Sequence, residues 1–334
     1  MISTDRLIFD KKSDVALRQI KYAQSYETVD ILVFNTKKQG LADKFELSDN
    51  CKVYSTDSVS RLFYPIDAKK IGVTIIGERK INEITCQDSS LTAMVGVYLK
   101  DKFNIPLEIQ IHGDIGSPYF KKNYLNKIRL FLSKRYLPRA DRIRVVSNRI
   151  KDYVSSIFDQ KCIDLKDRPV IEVRPIFVDG ELIKSAPIIV DLHQKYKQFA
   201  KVALMASRLE KEKNIELAIN SWAEVIKSFP GAGLLIVGNG SREKSLKHLV
   251  KSRRLENSVV FENWVDKGIL YSYYKTADLF LNTSLFEGYG MTLVEANYAG
   301  CKIISTDVGV AREVGAIISS FESVRFAEDI IKSL

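Results

Sequence analysis

The sequence predicts an α/β protein with two doubly wound parallel sheets in tandem. Short β-branched apolar runs alternate with longer amphipathic stretches, which is typical of parallel strands covered by helices on both faces. The alternation starts afresh at Lys201, after a segment that contains Pro175 and Pro187. The 334 residues also exceed what one ordinary hydrophobic core needs. We therefore expect two α/β domains.

The first domain is predicted to span residues 1–175. Strands are predicted at 30–35, 82–86, 107–111, 142–146 and 170–173, and helices at 14–26, 91–103, 119–137 and 149–157. Residues 1–5 are too few for a buried first strand, so we expect either a stubby strand or the end of a longer one.

The second domain is predicted to span residues 176–334. Strands are predicted at 202–206, 233–237, 258–261, 278–282 and 302–305, and helices at 215–229, 242–254, 269–277 and 291–299, with one more strand and a helix at 323–334 after Gly315. In such sheets ligands bind at the carboxyl ends of the strands, so we expect a cleft between the domains.

Bulk composition excludes several classes of protein. No apolar run approaches the length of a membrane span, and charged residues interrupt the first twelve positions, which argues against a signal peptide. The four cysteines are scattered and indicate reduced thiols, while three histidines are too few for a histidine-rich metal centre. We predict a cytoplasmic protein that is metal-free, with peripheral attachment to the inner membrane face left open.

The net charge of +10 indicates an acidic partner. We find no nucleic-acid motif and predict no nucleic-acid partner. A nucleotide or an anionic membrane surface remains.

The segment from Glu287 to Glu295 is the most informative of the chain. Two carboxylates bracket a turn in which Gly288 and Gly290 allow a ligand close to the backbone. A helix that begins near Met291 would present free N–H groups, which favour an anion. Carboxylates repel phosphate but bind hydroxyls. An anion site beside two such carboxylates therefore indicates a ligand with both phosphate and hydroxyl groups, such as a sugar nucleotide.

Two long cations, Arg208 and Lys213, follow the first strand of the second domain. At a strand-to-helix turn they can converge on a diphosphate, because Arg grips two oxygens and Lys acts as a mobile charge. The alternative is a solvated charged loop.

Two further strand ends carry weaker signals. Gly238 and Gly240 allow close ligand approach, or simply form a tight turn with Ser241 as a helix cap. Residues 263–265 offer backbone groups to a nucleobase, although Trp264 taken alone favours a core or interface position.

The order of these motifs, followed by residues 305–309, resembles the donor domain of glycosyltransferase family 4 over roughly residues 202–315. The first domain resembles that family more loosely, at 84–88, 110–114 and 145–147. The resemblance implies a retaining, metal-independent enzyme with the GT-B fold, in which two Rossmann-like domains face each other across a cleft.

The resemblance also implies roles for individual residues. Glu287 would hold the donor sugar and Glu295 the ribose, while Arg208 and Lys213 would neutralise the leaving diphosphate. Further donor contacts would come from Gly238, Gly240, Val265, Gly288, Tyr289, Gly290, Met291 and Thr292.

In the first domain the resemblance makes His112 a catalytic-site residue on the opposite wall, against the alternative of a buried imidazole bonded to a carbonyl. The usual glycine-rich loop after the first strand is replaced by residues 10–14. The acceptor side is assigned to Ser13, Arg18, Asp88 and Asp114.

The function predicted on this basis is retaining transfer of a sugar from a UDP- or GDP-linked donor to a glycan or lipid-linked acceptor, in cell-surface polysaccharide synthesis and without a cofactor. An inactive nucleotide- or glycan-binding partner subunit and a sugar-nucleotide epimerase remain as alternatives. A phosphorylase is disfavoured because no pyridoxal-binding lysine motif is present.

A basic segment at 119–137 has no acidic residue. Its apolar residues recur at helical spacing, namely Phe120, Tyr124, Ile128, Phe131 and Leu132. Such a helix either packs its apolar stripe on its own sheet or lies on an anionic membrane.

Overall fold

The computed structural model describes residues 1–334 and divides into two compact units, Met1–Arg174 and Pro175–Leu334. Each unit is one sheet with helices packed on it. None of the helices is both long enough and apolar enough to cross a membrane.

The first unit has eight strands in the order β3-β4-β2-β1-β5-β6-β7-β8. They are β1 Ile2–Ser3, β2 Val29–Val33, β3 Lys44–Ser48, β4 Cys51–Ser55, β5 Ile84–Cys86, β6 Leu107–Ile111, β7 Arg142–Val145 and β8 Val170–Val173. The helices are α1 Asp14–Ala23, α2 Tyr64–Glu78, α3 Leu91–Phe103, α4 Tyr124–Tyr136 and α5 Asn148–Gln160. All pairs are parallel except β3 with β4.

The first strand corrects the expectation that residues 1–5 are too short for a buried strand. Ile2 and Ser3 are buried, and β1 pairs with both β2 and β5 in the middle of the sheet. Two residues suffice there because neighbours on both sides satisfy their backbone groups.

Three elements of the first unit escaped prediction. Strands β3 and β4 alternate charged and apolar residues over only five positions each, which is a weak signal. Helix α2 contains Gly72, which usually disfavours a helix. A Cβ at Gly72 would lie 2.7 Å from the Leu99 side chain on α3, so the glycine permits close packing of these helices.

The continuous helix predicted at 119–137 is interrupted. A 3-10 turn at Phe120–Lys122 is followed by Asn123 in extended conformation, and the Asn123 side chain caps α4 by accepting a hydrogen bond from the Leu125 amide at 2.9 Å. A second 3-10 turn, Leu137–Arg139, ends the segment and contains Pro138.

The second unit has six parallel strands in the order β11-β10-β9-β12-β13-β14. They are β9 Lys201–Ala206, β10 Ala232–Val237, β11 Val259–Glu262, β12 Leu279–Asn282, β13 Ile303–Thr306 and β14 Ile317–Ser319. The helices are α6 Gly180–Ser185, α7 Leu192–Lys195, α8 Ile215–Ser228, α9 Glu243–Ser252, α10 Lys267–Thr276, α11 Met291–Tyr298 and α12 Ser323–Ile331. A cluster around Trp222 and another around Tyr274 and Phe280 form its core.

Candidate active site

The loops that follow β9, β10, β11, β12 and β13 lie at one edge of the second sheet, because parallel strands all end on the same side. Hydrogen bonds join the loops after β9 and β12 and the end of β13. The Leu285 amide donates to the Glu212 carbonyl at 2.8 Å, and the Thr306 hydroxyl donates to the Ser284 carbonyl at 2.7 Å. The loop edge is therefore a connected structure rather than separate turns.

The centre of this edge is an ion pair between Lys213 and Glu287. The Lys213 ammonium contacts Oε1 of Glu287, and the same oxygen accepts a hydrogen bond from the Ser284 hydroxyl at 2.8 Å. Their side chains are only 16% and 15% exposed. The Thr283 hydroxyl fixes the loop of Lys213 by donating to its carbonyl at 2.9 Å. Partial burial strengthens the attraction between such charges and fixes their geometry.

Arg208 does not join this pair. Its guanidinium bonds Glu212 at 3.0 Å, and its side chain is 65% exposed. This arrangement matches the solvated loop that we set beside the functional interpretation. Convergence of Arg208 with Lys213 on a diphosphate stays a prediction.

Gly238 and Gly240 are explained by contact between two loops. Gly238 has φ +138°, and a Cβ there would lie 1.9 Å from the Ser207 carbonyl oxygen. A Cβ on Gly240 would lie 2.4 Å from the Leu209 carbonyl oxygen. The loop after β10 thus packs on the backbone of the loop after β9, and these glycines are required before any ligand is considered.

Ser241 is not the helix cap that the tight-turn interpretation requires, because α9 has Arg242 at its N-cap. Instead the amide and hydroxyl of Ser241 donate to Glu210 at 2.9 and 2.6 Å. These hydrogen bonds lower the pKa of Glu210. They tie the loop after β10 to the loop that carries Lys213.

The turn before α11 presents backbone amides. Gly290 has φ +92° and occupies the N-cap of α11, which has no side-chain cap. The loop after β13 supports this turn, since the Val310 amide donates to the Tyr289 carbonyl at 2.9 Å. A Cβ on Gly309 would lie 2.3 Å from that carbonyl oxygen. The uncapped amides at the start of α11, together with the helix dipole, favour an anion.

Glu295 lies on α11 and is half-buried. Burial raises its pKa, although the Tyr274 hydroxyl, which donates to Oε2 at 3.2 Å, and Lys267 oppose the shift. Burial likewise raises the pKa of Tyr274. A carboxylate with few protein partners in such surroundings is suited to accept ligand hydroxyls.

We expect Glu295→Gln to raise thermal stability at neutral pH and to weaken nucleotide binding. Because the folded-state pKa lies above the ordinary value, the folded protein binds the extra proton, and stability falls as pH rises through that pKa. The variant lacks this loss, so its melting temperature should exceed that of the wild type at neutral pH but not near about pH 4, where the carboxyl group is protonated. Melting curves at both pH values, with a titration of UDP, check this expectation.

The residues that were considered as contacts of the nucleobase differ in their burial. Val265 is half-buried and packs against the core cluster around Tyr274. Trp264 is 49% exposed, so the core position favoured for it is wrong. Contact of Val265 with a nucleobase stays a prediction.

In the first unit, His112 follows β6, and its side chain keeps contact with solvent although protein atoms surround much of the ring, so the imidazole is not fully buried. Its Nε2 lies 3.2 Å from the Gln110 side-chain oxygen. Desolvation first, and then the charges of Arg144 and Arg18, lower the pKa of His112. The imidazole is therefore neutral at pH 7.

The four residues assigned to the acceptor side mostly stabilise local backbone. Ser13 caps α1 by accepting from the Ala16 amide. Asp114 is buried, which raises its pKa, and accepts from the amides of Gly116 and Ser117. Arg18 donates to the Asp14 carbonyl at 3.3 Å.

Asp88 accepts from the Ser90 amide at 2.7 Å and from its hydroxyl at 2.6 Å.

Sequence reasoning gave no role to Ser284 or Tyr274, which hold the two key carboxylates. Ser284 follows the buried strand β12 by two residues, a position that signals a site residue. The sequence gives no indication of a role for Tyr274, because a tyrosine on the apolar face of a helix usually indicates a core residue.

Comparison with known protein families agrees with the glycosyltransferase resemblance of the sequence motifs. Residues 192–318 match the family model described as glycosyl transferases group 1. This part of the second unit is therefore similar to that family. Membership of glycosyltransferase family 4 in particular stays a prediction.

Two relatives illustrate the range of the match. An uncharacterized glycosyltransferase, MJ1607, of Methanocaldococcus jannaschii is 28% identical over 250 residues, which are 74% of this chain and 62% of the relative. Alpha-monoglucosyldiacylglycerol synthase of Acholeplasma laidlawii is 34% identical over 103 residues, which are 31% of this chain and 26% of the relative. The chain thus spans less than two thirds of the length of these relatives.

Solved structures resemble this chain over nearly its whole length. Sucrose-phosphate synthase from Thermosynechococcus elongatus superposes with a TM-score of 0.74 at 18% identity, covering 99% of this chain and 88% of that one. Anabaena HepE in complex with UDP-glucose gives a TM-score of 0.67 at 21% identity, with 99% and 88% covered. The fold is therefore that of the two-domain GT-B glycosyltransferases.

Proposed function

We propose that the protein is a retaining glycosyltransferase that moves a sugar from a UDP- or GDP-linked donor to a glycan or lipid-linked acceptor in cell-surface polysaccharide synthesis. The observation that carries the proposal is the half-buried pair of Lys213 and Glu287, of which Glu287 lies in the loop that leads to the uncapped start of α11. Anion-binding amides and a hydroxyl-binding carboxylate in one loop suit a sugar diphosphate.

The donor is held by groups of complementary chemistry. The amides of Gly288, Tyr289, Gly290, Met291 and Thr292 bind sugar and phosphate oxygens. Glu287 accepts from sugar hydroxyls, and Glu295 accepts from the ribose. Lys213 donates to the diphosphate as negative charge develops on it, which stabilises the transition state more than the ground state.

The reaction proceeds by substitution on one face of the sugar, through an oxocarbenium-like transition state. The bond between the anomeric carbon and the phosphate oxygen breaks, and the acceptor oxygen forms its bond on the same face. The departing phosphate accepts the acceptor's proton. In this mechanism no protein carboxylate acts as nucleophile, and neither a metal nor a cofactor takes part. Neutral His112 serves as a hydrogen-bond partner of the sugar.

Two similar solved structures support a uridine nucleotide: Anabaena HepE was solved with UDP and glucose, and a trehalose-6-phosphate protein from E. coli with UDP-2-fluoro glucose. The test is incubation with UDP-glucose or GDP-mannose without acceptor, followed by NMR. Slow hydrolysis that first releases the α-anomer, unchanged by a chelator, supports the proposal. The β-anomer first would contradict retention, loss of activity in chelator would contradict metal independence, and no turnover would favour the inactive partner subunit.

The basic segment has an exposed apolar face. Tyr124 is 74% exposed and Phe131 is 68% exposed, and Leu125 and Ile128 are exposed as well. Within α4 only Ser133 is buried. The expectation that this apolar stripe packs on its own sheet is therefore wrong for Tyr124, Ile128 and Phe131.

We infer that this face lies on an anionic membrane at the cytoplasmic side. Cations surround the apolar residues, and no acidic residue occurs between Asp114 and Asp141. Apolar residues inserted at the headgroup level and cations at lipid phosphates are the usual pattern of an interfacial helix. Two relatives are named alpha-monoglucosyldiacylglycerol synthase, a name that specifies a lipid.

Replacing Phe131 by serine is expected to weaken membrane binding about tenfold, because a large apolar side chain no longer enters the lipid. Flotation with phosphatidylcholine vesicles, with and without phosphatidylglycerol, measures this effect. Leu165→Ser is the matched control, because Leu165 is 82% exposed outside α4. Equal flotation of both variants, or no dependence on anionic lipid, would end the membrane proposal.

A further inference from the structure

A pocket lies wholly within the first unit, at the carboxyl edge of its sheet. Its volume is about 450 Å³. Thr4, Phe34 and Ile115 follow β1, β2 and β6, and residues 88–91 follow β5, while α2, α4 and three 3-10 turns supply the remaining walls. The location at strand ends is where α/β sheets bind ligands.

Three arginines line this pocket, namely Arg6, Arg61 and Arg129. The Arg6 Nε donates to the Phe34 carbonyl at 3.4 Å, and Arg129 donates to the Asn126 side chain at 3.1 Å. No ion pair joins any of the three to a carboxylate, so their charges are not neutralised by the protein. The one acidic group in the lining is Asp88, which leaves an excess of two positive charges.

The start of α3 adds backbone donors. Ser90 is its N-cap and makes no side-chain capping bond, and both Ser90 and Leu91 line the pocket. The Ser90 hydroxyl donates to Asp88 instead, at 2.6 Å. A helix of thirteen residues with an uncapped amino end favours an anion there.

Tyr64 provides an independent sign of a ligand. It is 6% exposed and lines the pocket, and its buried hydroxyl has no hydrogen-bond partner in the protein. Its ring is held by Phe34, with centroids 5.4 Å apart. A buried hydroxyl without a partner costs stability, so its retention beside three arginines indicates a polar group that is supplied by a ligand.

We propose that this pocket binds a phosphate group of the acceptor. Arg6, Arg61 and Arg129 would grip its oxygens, the Tyr64 hydroxyl would donate to one of them, and the start of α3 would face the remaining charge. The proposal rests on the proposed glycosyl transfer only in assigning the anion to the acceptor. The phosphate belongs either to a lipid headgroup or to a soluble phosphorylated sugar.

The test is calorimetric titration of the 334-residue protein with inorganic phosphate, after the donor site has been saturated with UDP. Arg61→Gln is expected to weaken phosphate binding about tenfold, since hydrogen bonds from charged groups are strong. Tyr64→Phe should weaken it severalfold while the melting temperature stays equal or rises, which a purely structural tyrosine would not allow. Arg253→Gln, an exposed arginine that follows α9 in the second unit, is the control and should bind as the wild type does.

Equal phosphate affinity in wild type, Arg61→Gln and Tyr64→Phe would overturn the proposal. The UDP titration separates this failure from failure of the donor site, because UDP would still bind. Flotation with phosphatidic acid in phosphatidylcholine vesicles distinguishes the two sources. A lipid phosphate predicts that Arg61→Gln floats less than Arg253→Gln, and a soluble phosphorylated acceptor predicts equal flotation with weaker binding of glucose 6-phosphate.

Discussion

Replacing Lys213 by alanine is expected to lower kcat by about 10²–10³-fold, the usual effect of removing one preorganised charge at a developing anion. The variant loses the cation that the diphosphate meets as it departs. It also leaves Glu287, which is 15% exposed, without its ionic partner. Initial rates of UDP-glucose turnover at saturating donor measure the effect.

Lys211→Ala is the matched control. Lys211 lies in the same 3-10 turn, Lys211–Lys213, but is exposed and has no acidic partner. It should keep kcat within about twofold, as surface substitutions outside a site usually do. Full turnover by Lys213→Ala would remove that residue from the mechanism.

Replacing Glu287 by glutamine is expected to lower kcat/KM by about 10²-fold. The amide retains the shape of the side chain and can still bond Ser284, but it accepts sugar hydroxyls more weakly and no longer holds the Lys213 ammonium. Steady-state kinetics with varied donor concentration should show the loss in both kcat and KM. Glu256→Gln, an exposed residue between α9 and β11, should behave as the wild type does.

The double variant Lys213→Ala/Glu287→Gln tests whether the pair acts as a unit. Because the two side chains are in contact, their effects should be far from additive, and the double variant should be little worse than Lys213→Ala alone. Multiplicative losses would show that each residue acts independently, against the arrangement described for this site.

The alternation of strands and helices could be predicted because buried β-branched runs such as β9 and β10 differ sharply from amphipathic helices such as α8. Prediction failed where the local signal is short. Strand β1 has two residues, and its burial comes from β2 and β5, which lie far away in the sequence. The prediction of one continuous helix failed at Asn123 for another reason. The Asn123 side chain caps α4, and this local hydrogen bond outweighs the continuous helical pattern.

The sequence predicts which residues could form the site, but it does not predict which of them are in contact. Glu287 and Lys213 were each recognised from strand-end position, yet they are separated by 74 residues, and their pairing depends on the parallel order of β9 and β12. The glycines at 238 and 240 were predicted either to allow close ligand approach or to form a tight turn, and the packing of the loop after β10 on the loop after β9 already requires them. The exposed face of α4 could not be foreseen, because an apolar stripe looks alike whether it is packed or bare.

The most direct test of a diphosphate site in the second unit is a calorimetric comparison of UDP with UMP, in wild type and in Lys213→Ala. The account predicts that wild type binds UDP at least about tenfold more tightly than UMP, and that Lys213→Ala loses this preference while binding UMP unchanged. Equal affinity for UDP and UMP in the wild type, or a preference for UDP that survives Lys213→Ala, would contradict it.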